Sequence, residues 1–458
     1  YLTTEGSSNV IMGNTSGYSN TTGYSNVMIG DSAGFTSSSA SYNVFIGKSS
    51  GKMNTIGDKN TFLGYYAGYK NTSGTENVFI GNQCGLNNQG ATKNVFVGTR
   101  AGLNNSGGTN VFIGNNTGKV NTGNNNVFIG DSCGYSNSSG KSNIFLGTNS
   151  GRKNTTASYN LFIGTLTGYS TTSGQSNIFM GYKAGTANTT GYQNIFLGIN
   201  SGLNSTTGNN NVCLGVSTGQ ANTTGSSNVF LGTFSGFSNN NGNYNVFLGE
   251  RAGYANTSGL SNNFIGTNAG TSNTTGNFNV FMGASSGYSN TDGKNNIFIG
   301  TNAGYNNLIG DYNVFVGYQS GLTDTASYNT FIGYQSGKYY KSGKYNTYLG
   351  YNSGYASTVS YGTGNSNIGI GFNVAYSMTY GKKNVFIGNY TGYFTTYGYS
   401  NVFIGDSVGV DNTYGYRNVV IGNYAGLKSN SGNDNVYLGY QAGYSSVSGD
   451  QNICIGPY

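Results

Sequence analysis

The chain has 458 residues, with 20 Lys and Arg against 13 Asp and Glu, 79 Gly, one Pro and neither His nor Trp. Good helix formers are scarce while β-branched and aromatic residues abound, which excludes an ordinary helical protein. The formal charge of +7 is scattered, with no basic run longer than a pair such as Lys382-Lys383, which argues against nucleic-acid binding.

In chain order, one element recurs: an Asn, three mostly apolar residues and a Gly. It starts at Asn9, Asn26, Asn43, Asn60, Asn77 and Asn94, continues through Asn110, Asn126 and Asn143, and runs on to Asn435 and Asn452. The interval is nearly always 17 residues; it is 16 after Asn94, Asn110 and Asn313, and 21 after Asn346. Apolar clusters at fixed spacing argue against disorder and for stacked repeats. Each cluster, such as Val78-Phe79-Ile80, predicts a short strand whose side chains alternate between faces. The second and fourth residues of the unit share one face, while the third takes the other. That third residue is Phe at 45, 62, 79, 96 and 112.

Glycines after the strand (Gly47, Gly64, Gly81) suit a corner with positive φ or close backbone approach. A second Gly follows four residues on (Gly51, Gly68, Gly85), then a polar turn such as Asn188 to Gly191. No unit can bury its own apolar residues, so neighbours must stack. The spacing therefore predicts an all-β fold, a parallel β-solenoid (β-roll) of about 26 coils with roughly 17 residues per coil. Residues 1–458 read as a single continuous repeat domain, with an irregular coil and insertion at about 346–383. The leading asparagines, Asn26, Asn43, Asn60, Asn77 and Asn94 among them, are expected to form a hydrogen-bonded ladder that satisfies buried turn groups.

The lengthened unit between Asn346 and Asn367 contains Ser357 to Gly364, and in the next coil Gly369 replaces the Phe and Ala375 the second Gly. A protruding turn with relaxed register is the expectation, a kink or docking point the alternative. Cys84 and Cys133 lie three coils apart, roughly 14 Å at sheet spacing, too far to bridge. With Cys213 and Cys454 they are expected to be small buried hydrophobes. The chain opens on Tyr1 inside a partial coil, which suggests a mature product or a slice of something longer. Neither Tyr1 to Ser8 nor Gln451 to Tyr458 has the look of a polar cap, so end-to-end stacking is expected.

Two runs, Val78-Phe79-Ile80-Gly81 and Ile299-Gly300-Thr301-Asn302-Ala303, resemble the Val-Ala-Ile-Gly-x-x-Ala head repeats of trimeric autotransporter adhesins. The coil here is about three residues longer and carries Phe in place of a small central residue. Asn60 to Gly74 is more similar to the repeats of bacterial surface and phage-tail-fibre-like proteins, built on Asn-Thr-x-Ile/Leu-Gly-Tyr-x-Ala. The resemblance covers nearly the whole chain. It implies a β-roll with a structural or adhesive role at a surface.

Both strand faces are apolar, but a thin roll has one interior. Either Phe lies inside, or one ladder packs against another chain. The expectation carried forward is the second, with Phe45, Phe62, Phe79, Phe96 and Phe112 as the assembly face of a homotrimer or multi-stranded filament. Asn-x-Ser/Thr sequons at Asn20, Asn71, Asn137, Asn154, Asn188, Asn222, Asn256 and Asn273 are turn chemistry or candidate glycosylation sites. Tyr18, Tyr69, Tyr135, Tyr169, Tyr254 and Tyr288, after the second Gly, would either stack on sugars or cover the flank.

Without His, general acid–base catalysis and most zinc sites lose their usual residue. No catalytic, cofactor or metal residues are expected, and no enzyme. The expected function is a structural repeat protein, the shaft or protomer of an extracellular filament on a cell surface. The alternative is an adhesin or phage-fibre segment that binds host carbohydrate or matrix. Expected partners are copies of the chain itself, laterally or end to end, and glycans; neither nucleic acid nor membrane insertion is expected.

Overall fold

The structure is a computed structural model that describes residues 5–356 and 362–457. The chain divides into two units, Tyr1–Ser227 and Asn228–Tyr458. The first carries thirteen three-residue strands from Val10–Met12 to Val212–Leu214, the second fourteen from Val229–Leu231 to Ile453–Ile455. Within each unit successive strands pair in parallel, residue for residue. Val78, Phe79 and Ile80 face Val95, Phe96 and Val97 in the first unit. Val280, Phe281 and Met282 face Ile297, Phe298 and Ile299 in the second. The fold is thus an all-β parallel solenoid with a coil of about 17 residues, as the Asn spacing predicts.

Three residues per coil are strand, but hydrogen bonding between coils extends around the corners. Gly51 N donates to Ala67 O at 2.9 Å, and Thr55 N to Thr72 O at 2.9 Å. This continuation satisfies backbone groups that an isolated three-residue strand would leave open. In the 16-residue coils after Asn94 and Asn110, though not in the one after Asn313, the turn straightens. Asn104–Asn105 and Val120–Asn121 then form a second parallel pair.

Two glycines per coil are fixed sterically. At Gly47, φ is +126° and a Cβ would lie 2.6 Å from the carbonyl oxygen of Gly64 one coil on. At Gly68, φ is +58° and a Cβ would meet the Phe62 ring at 2.5 Å. Two further corners use other residues in the left-handed region, among them Lys59 (φ 57°) and Tyr66 (φ 55°). The cost is about 1–2 kcal/mol each. It is offset because the same geometry aims Lys59 N at Ser41 O and Tyr66 N at Lys48 O, both at 3.1 Å. Neither Val nor Ile occupies such a corner among the described residues, and of the β-branched residues only Thr does, at Thr15 (φ 53°) and Thr109 (φ 59°).

The interior is a column of aromatic rings. From Phe45 to Phe196 each ring stacks on the next, as at Phe128–Phe145 and Phe145–Phe162, both 4.8 Å apart and 7° from parallel. The second unit repeats the arrangement from Phe230 to Phe331. Phe45, Phe62, Phe79, Phe96 and Phe112 have no exposed surface. This corrects their expected role as an assembly face. The Gly eight residues after the leading Asn, with a small residue before it, leaves room for one ring inside the coil, and the aliphatic residues turn outward.

The expectation of a relaxed register after Asn346 is also corrected: Thr347, Tyr348 and Leu349 pair in step with Ile368, Gly369 and Ile370. Residues 357–361 of the expected insertion lie outside the described residues. Gly369 leaves no hole, because a Cβ there would lie 2.8 Å from the Tyr348 ring and 3.1 Å from Val374 Cγ1. Tyr340, Tyr348, Val374 and Met378, all buried, fill the space of the missing Phe. Tyr340 Oη donates to Gly364 O at 2.8 Å, and Tyr348 Oη to Tyr340 Oη at 3.3 Å, so both buried hydroxyls are satisfied.

Candidate interaction surfaces

Two asparagine columns run through each unit. In the first column, the backbone N–H of Asn43 donates to Asn26 Oδ1 and that of Asn60 to Asn43 Oδ1, both at 2.9 Å. Asn77 and Asn94 continue the series at 3.0 Å. The remaining amide hydrogens close the turn, with Asn26 Nδ2 donating to Ala40 O and Asn60 Nδ2 to Gly74 O, both at 2.8 Å. These side chains therefore cap backbone rather than face a ligand.

The second column contains the sequon asparagines. Asn20, Asn71, Asn137, Asn154, Asn188, Asn222, Asn256 and Asn273 are all fully buried. Each Nδ2 donates to the carbonyl three residues on, at 2.9–3.2 Å, from Asn20 to Gly23 through Asn273 to Gly276. A glycan needs that nitrogen free and at the surface. Of the two readings of these sites, the buried geometry fits turn chemistry and leaves none of the eight amide nitrogens open to a glycan.

What faces solvent is the other side of the strands. Ile144, Ile178, Ile297, Ile299, Ile368 and Ile370 are each 37–42% exposed. In the first unit, two outward residues on each of thirteen strands are aliphatic, with Thr61 the exception. Thr and Asn enter this face in the second unit at Asn263, Thr330 and Thr347, and no charged residue occupies it in either unit. Sequence alternation separated the two faces but did not say which was inside.

The tyrosines after the second Gly cover a flank. Tyr18 stacks on Phe35 at 5.2 Å, Tyr254 on Phe237 at 5.1 Å and Tyr288 on Tyr305 at 4.9 Å. Cations sit on others: Lys52 over Tyr69, Lys119 and Arg152 over Tyr135, and Lys153 over Tyr169.

A groove at the turn edge of the second unit combines both residue types. About 510 Å³ in volume, it is lined by Tyr380, Tyr397 and Tyr399, with Lys382, Lys383 and Asn365. At the equivalent turn of the first unit the lining is Gln175, Gln193, Tyr192 and hydroxyl residues, in a volume of about 320 Å³ with no charge.

Buried groups give no sign of reactivity. Desolvation pushes the thiols of Cys84, Cys133 and Cys213 far above the usual range, and all four cysteines are unpaired. Asp324 occupies a second-column position and is fully buried. Its oxygens accept from Ala326 N at 2.7 Å and Asn329 Nδ2 at 2.8 Å, but desolvation still holds its carboxyl well above the ordinary value. Among the described residues, no group of three His, Cys, Asp or Glu is placed to hold a metal, and no helix is long and apolar enough to cross a membrane. Comparison with protein-family models and with curated proteins found no match to this chain.

Proposed function

We propose that this repeat protein is structural and non-enzymatic, the protomer or shaft segment of an extracellular filament on a cell surface, and that its aliphatic strand face joins it laterally to a second copy. The observation that carries the reading is that outward face. Burying an aliphatic side chain completely corresponds to ~60–120 Å² at 25 cal/mol per Å². With roughly a third of that exposed at each outward position, the first unit alone presents on the order of 800 Å² of apolar surface. Monomers rarely leave patches beyond about 300–600 Å² open, and about 800 Å² per partner is what a stable protein interface buries. A second copy has the same side-chain spacing along its strands by construction, so aliphatic columns can interdigitate over their full length.

The resemblance to surface and fibre repeats supports the extracellular assignment, and antibody labelling of intact source cells tests it. Lateral association is tested by sedimentation and native light scattering of the full chain. Association that rises with concentration, and that Ile144→Lys with Ile178→Lys abolishes, is expected. A monodisperse monomer at high concentration would sink the proposal. The adhesive reading has one specific observation in its favour, the Tyr–Lys groove.

A further inference from the structure

The stretch from residue 325 to 405 departs from the rest of the chain in charge. It contains Lys338, Lys341, Lys344, Lys382 and Lys383 and no Asp or Glu. Solenoid geometry turns this compositional bias into a place. Lys344, Asn365, Lys382 and Tyr399 each stand two residues before the leading Asn of their coils, and so stack in one column. Tyr380, Tyr397 and Tyr414 form the column beside it, each two residues earlier. The groove of about 510 Å³ lies between these columns. Arg417, further along, is held by Asp434 in a bidentate pair at 2.6 and 2.7 Å, so free positive charge is concentrated toward Lys382 and Lys383.

We propose that this groove binds an extended anionic polysaccharide, one bearing carboxylate or sulfate groups along its length. Three features select that class. Its polar lining comes from three successive coils, with Asn365, Lys382 and Tyr399 at equivalent positions, so the groove offers contacts along an extended chain rather than one pocket to a compact molecule. Lys382 and Lys383 are exposed and have no acidic neighbour in sequence, so they attract anions. The tyrosine rings stack on one another at 5.0 Å (Tyr380–Tyr397) and 5.3 Å (Tyr397–Tyr414), offset and nearly parallel, and so present edges and hydroxyls to solvent. Edges and hydroxyls suit a hydroxylated chain. Nucleic-acid bases need open ring faces to stack on, and the central ring, Tyr397, is covered on both faces by Tyr380 and Tyr414. The inference does not depend on lateral assembly, which uses a different face.

The test is calorimetric titration of the full chain with polygalacturonate, dextran sulfate, neutral dextran and oligodeoxythymidylate. Binding to one or both anionic polysaccharides is expected, weakening as salt rises, and the two separate a carboxylate from a sulfate ligand. Lys382→Gln with Lys383→Gln should weaken it at least tenfold, Tyr397→Ser should weaken it too, and Lys70→Gln on the first unit should leave it unchanged. All four residues are exposed, so circular dichroism of each variant should match the parent. No binding to either anionic polysaccharide, equal binding to dextran, a preference for the oligonucleotide, or undiminished affinity in the double lysine variant would each overturn the proposal.

Discussion

Phe145→Ala tests the assignment of inside and outside most directly. Phe145 is fully buried and lies between Phe128 and Phe162, with both centroids 4.8 Å away. A buried Phe replaced by Ala costs about 3–5 kcal/mol through lost transfer energy and the cavity left behind. Two stacked partners lose their contacts here, which places the expected loss in the upper half of that range. Coils interact with their neighbours only, so the loss should be local. Hydrogen exchange followed by mass spectrometry measures it: amides between about residues 126 and 163 should lose about three to four powers of ten in protection. Distant coils should keep theirs. Ile144→Ala, one residue away at 42% exposure, should cost less than about 1 kcal/mol in dilute, unassociated protein. A mild Phe145 variant beside a severe Ile144 variant would mean that the strand faces are assigned the wrong way round.

Three other outcomes follow from the packing. Gly147→Ala must place a Cβ 2.5 Å from Gly164 O at a φ of +129°, so it should open the same coils by at least ~2 kcal/mol in the exchange experiment. Asp324 binds its proton more tightly folded than unfolded, so the second unit should lose stability as pH rises above about 4, through the gap between the unfolded value of 3.8 and the raised folded one. Asp324→Asn, which restores the residue at Asn290 and Asn307, should remove that pH dependence and raise the neutral-pH melting temperature. A thiol reagent should label the native chain rapidly at partly exposed Cys454 and at Cys84, Cys133 and Cys213 only after denaturation.

Strand positions, the period and the first asparagine column were legible because each repeats with the coil and has a single physical use. Asn43 and Asn60 could not recur at 17 residues with so little variation unless they met one another. The facing of the strand was not legible from alternation, since Phe79 and its neighbours Val78 and Ile80 are all apolar. A usable signal existed in the exceptions. Thr61, Asn263, Thr330 and Thr347 stand at outward positions, whereas inward ones accept Cys213, Tyr348, Gly369 or Val420 and no Thr or Asn. The sequons were ambiguous for a related reason. A residue that caps a buried turn and one that carries a glycan share the letters Asn-Thr-Thr, and only burial separates them. The groove was invisible because its residues come from successive coils, although the missing acids between 325 and 405 marked the region.

The asparagine column has a consequence for how such a chain changes over generations. Within each unit every rung presents the next coil with the same carboxamide oxygen and receives the same backbone N–H, whether the intervening coil holds 16, 17 or 21 residues. The junctions are interchangeable. Recombination between repeats that adds or removes a whole coil therefore leaves each remaining joint chemically as it was, and the number of coils can drift or be selected without redesign of any one of them.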